Sequence, residues 1–168
     1  MKNLLITTVL VLFCTVLFAQ DQTVPTPDFV DQPMLWDKTT NTLSKISKES
    51  YEMKGKIGKM LYIFDGPKSE TRVAKETDFS FLISSSNSTA ITAAKLYVLE
   101  TKKKRREVQA MQVKGYMSAS IEQNSDVEIG FDLRKVDDDV YELVLNKKPD
   151  PGEYAFVIGM NGFTFGID

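Results

Sequence analysis

An Asn-Gly pair at 161–162 stands between two apolar runs, Tyr154-Ala155-Phe156-Val157-Ile158 and Phe163-Thr164-Phe165-Gly166-Ile167. Both residue types tolerate positive φ, so the pair predicts a tight hairpin joining two strands. Just upstream, Val127-Glu128-Ile129-Gly130-Phe131-Asp132-Leu133 alternates, which places Val127, Ile129, Phe131 and Leu133 on one face of an extended chain. Asp137-Asp138-Asp139 turns the chain, and Val140 to Leu145 pairs back. Pro149-Asp150-Pro151-Gly152 then supplies another turn before the terminal hairpin. A final third built this way has to be antiparallel sheet.

The middle of the chain follows the same pattern. Met34-Leu35-Trp36 is a short apolar run, Asp37 to Asn41 is turn-like, and Leu43 and Ile46 follow. Tyr51 to Lys56 and Met60-Leu61-Tyr62-Ile63-Phe64 come next, the second stopped by Asp65-Gly66-Pro67. Phe79-Ser80-Phe81-Leu82-Ile83 runs into a Ser/Asn cluster. The segment from Ser88 to Met111 admits a helix begun at Ser88, but Leu96-Tyr97-Val98-Leu99 has strong β-propensity and strands are preferred. Leu96 to Leu99 and Val108 to Met111 then form a hairpin around a charged tip, Lys102 to Arg106. The sum is an all-β, antiparallel β-sandwich, Ig-like or jelly-roll-like, of about eight or nine strands.

The beginning of the chain differs in kind. Lys2 precedes an apolar run from Leu4 to Phe18, and Ala19 gives way to Gln20-Asp21-Gln22. That order of charge, apolar core and small residue is a secretory signal, cleaved near Ala19. The run of about 15 residues is short of the ~20 that cross a bilayer, so no transmembrane segment is expected in the mature chain. Lipidation of Cys14 is the minor alternative, since bulky Phe13 precedes it. Residues 1–19 are therefore signal peptide, 20–33 a flexible extension carrying Pro25, Pro27 and Pro33, and 34–168 the sandwich domain. The expected location is secreted or periplasmic.

Cys14 is the only cysteine and leaves with the signal, so the mature fold has no disulfide within it. That favours a bacterial envelope protein over a small disulfide-stapled domain. The chain has 21 Lys and Arg against 23 Asp and Glu, and loss of Lys2 takes the net charge from −2 to −3. No broad basic field attracts nucleic acid. The chain has no histidine, which removes His-based triads and His zinc ligands. Neither GxGxxG nor a Walker sequence occurs. The expectation is a non-enzyme with no catalytic residues, no cofactor and no metal.

Several clusters are candidate sites. Paired carboxylates would hydrolyse glycosides across a cleft, and Glu128 with Asp132, or Asp78 with Glu100, are the candidate pairs. Adjacent acids in a short turn diverge, so Asp137 to Asp139 reads as a polar turn rather than a calcium loop. Lys68 and Ser69 lack a fixing context as a nucleophile pair. Asn87-Ser88-Thr89 fits a glycosylation sequon, relevant only in a eukaryotic pathway. The densest charge run, Lys102, Lys103, Lys104, Arg105 and Arg106, is the candidate binding tip, for an acidic polymer, lipopolysaccharide phosphate or a membrane surface.

Pro151-Gly152-Glu153-Tyr154-Ala155-Phe156, then Phe165-Gly166-Ile167-Asp168, resemble the ending of a broad set of uncharacterised bacterial secreted proteins, closest to those of Bacteroidota-type bacteria. Gly66 followed by Ser69-Glu70-Thr71-Arg72, and the Phe79-Ser80-Phe81 strand, extend the resemblance in scattered blocks over 34–168. It implies an envelope β-domain and transfers no functional residue. The reading from sequence is thus an exported, non-enzymatic binding or scaffold module, whose partner would be an envelope protein or glycan. A carboxylate-dependent glycan hydrolase and an anionic-lipid or lipopolysaccharide-binding module are the alternatives.

Overall fold

A computed structural model describes residues 23–56, 58–114 and 120–168. The expected signal peptide lies outside the described residues. Along the chain run β1 (Met34–Asp37), β2 (Thr42–Lys45), β3 (Ser47–Glu49), β4 (Tyr51–Lys56), β5 (Lys59–Asp65), β6 (Arg72–Val73) and β7 (Phe79–Ser84). One helical turn, α1 (Ser88–Thr92), precedes β8 (Lys95–Thr101), β9 (Arg105–Lys114) and β10 (Ser120–Gln123). A 3-10 turn (Ser125–Val127) leads to β11 (Glu128–Ile129), β12 (Phe131–Asp137), β13 (Val140–Leu145), β14 (Gly152–Ile158) and β15 (Asn161–Ile167).

Two sheets pack together, as an all-β sandwich should. The smaller has the order β12-β13-β7-β1-β2. The larger follows β3-β15-β14-β8-β9-β5-β4, with β10 on β9, β11 on β8 and β6 on β15. The strands outnumber the eight or nine expected because several long runs break and change partners. Val127 to Leu133 is such a run. Glu128 and Ile129 pair with β8 in one sheet, while Phe131 onward pairs with β13 in the other. The chain crosses between sheets at Gly130, so the seven-residue alternation is not a single strand.

The segment from Ser88 divides between the two readings offered for it. Asn87, not Ser88, caps α1, its side chain accepting from the Ala90 amide. After α1 the chain is extended, but β8 and β9 make a hairpin only at Glu100↔Glu107 and Thr101↔Arg106: Leu96 to Leu99, expected to pair with Val108 to Met111, pair with β14 instead.

Alternation explains the core. On β14, Tyr154, Phe156 and Ile158 face the smaller sheet and join Phe81, Ile83, Leu143, Phe163 and Phe165. Phe81 and Phe156 meet edge-on at 4.8 Å, and Tyr154 stacks on Phe165 at 5.3 Å. Ala155 and Val157 point the other way, into a second cluster with Tyr62, Phe64, Tyr97, Leu99, Val108 and Ala110. A strand buried on both faces needs a continuous apolar run, which is how 154–158 reads.

The second cluster exists because the larger sheet curls. β3 and β4 stand at the two ends of its strand path, yet only Ser50 separates them in sequence. The path therefore returns to its own start. β8 and β9 pair only at Glu100↔Glu107 and Thr101↔Arg106 before they splay apart. Asn124 fills the opening, bonded to Ala110 O at 3.0 Å and to Gln109 O at 3.1 Å.

The terminal hairpin forms, but Asn161-Gly162 is not its turn. Ile158 pairs with Asn161, so the turn is Gly159-Met160, with Gly159 at φ +59. Gly162 lies inside β15, where a Cβ would come within 2.6 Å of the Phe64 ring. Its smallness serves close packing rather than a turn. Residues 23–33, read from sequence as a loose extension, lie against the smaller sheet. Val30 bridges to Ser84, the Asp31 amide donates to Ser84 O at 2.8 Å, and Lys45 sits 3.9 Å from the Phe29 ring centre.

Candidate functional site

The face of β14 and β15 turned away from the smaller sheet carries Glu153, Thr164 and Gly166. Glu153 meets Arg106 there, and the Arg106 side chain is 1% exposed. Strand alternation puts it inside. Val108 and Ala110 line the second core, and the same face of β9, two residues earlier, presents Arg106.

A buried guanidinium needs partners for its donors and its charge. Arg106 Nη2 donates to Glu49 Oε2 at 2.5 Å and to Asp65 O at 2.6 Å, and Nε donates to Gly66 O at 3.1 Å. Gly66 turns with φ +73, which aims that carbonyl inward. Glu153 Oε2 lies 3.8 Å from Arg106 Nη1 and accepts from the Ser69 amide at 2.7 Å. Its other oxygen accepts from Arg72, which also donates to Asp168. The Ser69 hydroxyl bonds Thr164 at 2.9 Å, and Thr164 donates to Glu49.

The network closes at Asp168. β6 lies parallel to β15, with Arg72 opposite Gly166. A Cβ on Gly166 would overlap the Arg72 guanidinium. Asp168 holds Arg72 above its ordinary pKa, with Glu153 adding to the effect. Arg72 in turn holds the Asp168 carboxyl below its ordinary value. The blocks that looked scattered in sequence, Gly66, Ser69, Arg72, Glu153 and Gly166 with Asp168, thus converge on one place.

That placement fixes what the residues do chemically. Ser69 is buried with its hydroxyl engaged, while Lys68 is exposed. Both Glu153 oxygens are occupied. The cluster joins β3, β6, β9, β14 and β15 and offers no open nucleophile.

The five-residue basic run is divided. The Lys102 amide bonds Arg105 O at 2.8 Å, so the turn spans 102–105 and Arg106 lies within the interior. Lys102 pairs with Glu100, and Arg105 with Glu107 at 2.7 Å. Lys103 and Lys104 are exposed, and the Gly66 amide bonds Lys104 O at 3.0 Å, bringing the turn that carries Lys68 alongside.

The carboxylate pairs do not face one another as a pair on one strand. Glu128 is bound to Lys95 at 2.7 Å, and Asp132 belongs to the other sheet. Glu100 is taken by Lys102, and Asp78 lies on the turn before β7. At Asp137 to Asp139, Asp138 pairs with Lys135 at 3.1 Å and Asp139 turns at φ +56. Among the described residues no three His, Cys, Asp or Glu gather as a metal site.

Sequence reasoning missed a cleft of about 310 Å³ at one end of the smaller sheet. The ladder of β7 with β13 stops at Phe81↔Leu143, and the strands part beyond it. Phe79, Val144, Leu145 and Pro149 form the apolar lining, while Lys38, Lys147, Lys148, Thr77 and Asp78 supply the polar one. The Lys38 amide bonds Asp78 O at 2.9 Å, and its ammonium lies 2.8 Å from Glu142. The only local signal was the Lys-Lys pair ahead of Pro149, with Lys38 far away in the chain. Comparison with family models, curated proteins and solved structures finds no match to this chain.

Proposed function

We propose that the chain is exported by its N-terminal signal and works as a non-enzymatic binding or scaffold module of the bacterial envelope. The observation that carries this reading is the fate of the side chains suited to chemistry. Ser69, Glu153, Thr164 and Arg106 are buried and, with half-buried Glu49, form one bonded network that holds five strands together. Exposed lysines, Lys68, Lys103, Lys104, Lys147 and Lys148 among them, remain outside and are suited to contact.

Three measurements test it. N-terminal sequencing of the protein from its own cells should begin at Gln20. The purified protein should sediment with outer-membrane vesicles or peptidoglycan and release no product from glycoside substrates. Hydrolysis that disappears in Glu128→Gln or Asp132→Asn would establish the carboxylate hydrolase instead.

The hairpin end supports a second reading, a module for anionic lipid or lipopolysaccharide. Exposed Lys103 and Lys104 lie there, and the Gly66–Lys104 backbone bond sets the turn that carries Lys68 alongside. Binding to anionic vesicles should fall steeply with salt and vanish in Lys103→Glu/Lys104→Glu. Binding indifferent to salt would remove this reading.

A further inference from the structure

We infer that the cleft between the ends of β7 and β13 binds a sugar carrying one anionic group, a carboxylate or a phosphate. The inference rests on the reading of the chain as a binding module and names what this surface would hold.

Charge is the first argument. The chain as a whole is acidic, with a formal net of −2. The cleft runs against that balance, because Lys38, Lys147 and Lys148 line it with Asp78 as the one carboxylate. Lys38 is engaged with Glu142. Lys147 and Lys148 are exposed and, among the described residues, form no ion pair. A local cationic rim selects an anion.

The lining is the second argument. Phe79 and Pro149 give flat apolar surfaces, and Phe79 is held edge-on against Phe81 at 5.7 Å and 81°. A fixed ring beside a half-open cleft suits the C–H face of a sugar ring. Asp78 and Thr77 are the third. A carboxylate inside a basic rim repels a ligand charged all over and accepts hydrogen bonds from hydroxyl groups. One anion, several hydroxyls and one apolar face together describe an anionic monosaccharide.

The test uses amide NMR of the labelled protein, titrated with galacturonate, glucose 6-phosphate, glucose and inorganic phosphate. An open cleft of this size predicts weak binding, with Kd on the order of 1 mM. Shifts should gather at Thr77 to Phe79 and Val144 to Lys148 with at least one of the two sugar acids, and which one responds identifies the anion. Lys147→Glu/Lys148→Glu should weaken that binding about tenfold with an unchanged Tm. Lys147→Gln/Lys148→Gln should show the same direction with a smaller loss.

Glucose binding as tightly as the acids would overturn the role of charge. Inorganic phosphate matching glucose 6-phosphate would overturn the role of the ring. Shifts placed elsewhere, or none, would overturn the site. If the glutamate variant still sediments with envelope material while the wild-type cleft takes no sugar acid, the cleft fails and the binding module stands. Glycan turnover would instead remove the module itself.

Discussion

The hairpin β14–β15 presents two faces that are stabilised in opposite ways. One face sends Tyr154, Phe156, Phe163 and Phe165 into the core between the sheets. The other sends Glu153 and Thr164 into a network of ions and hydroxyls around Arg106. On the aromatic face each side chain adds its share through contact area, roughly 1.5–3 kcal/mol per large side chain buried. On the ionic face the members need each other, because a buried charge is tolerable only while its counter-charge remains. The first region should therefore lose stability by degrees, and the second abruptly.

The largest effect should come from Arg106→Ala. It leaves Glu49 and Glu153 short of a cation and should cost about 3–5 kcal/mol in urea unfolding. Arg106→Met combined with Glu49→Gln removes both charges of one pair and should recover much of the loss of Arg106→Met alone. Equal stability of the single and double variants would break the comparison. Gly166→Ala comes next. Its methyl group would displace the Arg72 guanidinium from Glu153, a strain of roughly 1–3 kcal/mol measurable as a lower urea midpoint.

On the aromatic side, Phe156→Leu keeps an apolar side chain and should cost only about 1–2 kcal/mol. A greater loss than for Arg106→Ala would reverse the ranking of the two faces. The smallest effect belongs to Asp168. Arg72 depresses its pKa below the ordinary 3.8, so the unfolded chain binds the proton more readily. Its contribution is complete above that value and drains away as pH falls through the lower, folded pKa. Asp168→Asn should flatten the acid limb of the stability curve there, and curves for the two proteins should converge at the acid extreme.

The aromatic face was readable in the sequence because it is periodic. Phe163, Phe165 and Ile167 alternate, and so do Tyr154, Phe156 and Ile158. The register is set by that alternation, and it moved the turn to Gly159-Met160. Asn161-Gly162 misled because the demand on Gly162 comes from Phe64, on a distant strand. The break at Gly130 was hidden for a related reason: Ile129, Phe131 and Leu133 all reach the same core although their backbones pair in different sheets.

The ionic face was half visible. Ser69, Arg72, Glu153 and Gly166 to Asp168 stood out as scattered blocks, but nothing in their spacing said that they touch. Arg106 was misplaced because it ends a run of cations, and a run suggests a solvated tip. The alternation of Val108 and Ala110, carried back to Arg106, pointed inward and was the better guide. Lys38 and Lys147-Lys148 carried no such cue, since the cleft arises only where β7 and β13 part.

Gly162 to Thr164 of β15 pair with Ser47 to Glu49 of β3. A chain emerging amino end first from a ribosome cannot make that pairing until Thr164 is free. Closure of the larger sheet must wait for the 115 positions that separate Glu49 from Thr164. Such a delay makes closure of the sheet a late step that joins parts of the chain far apart in sequence.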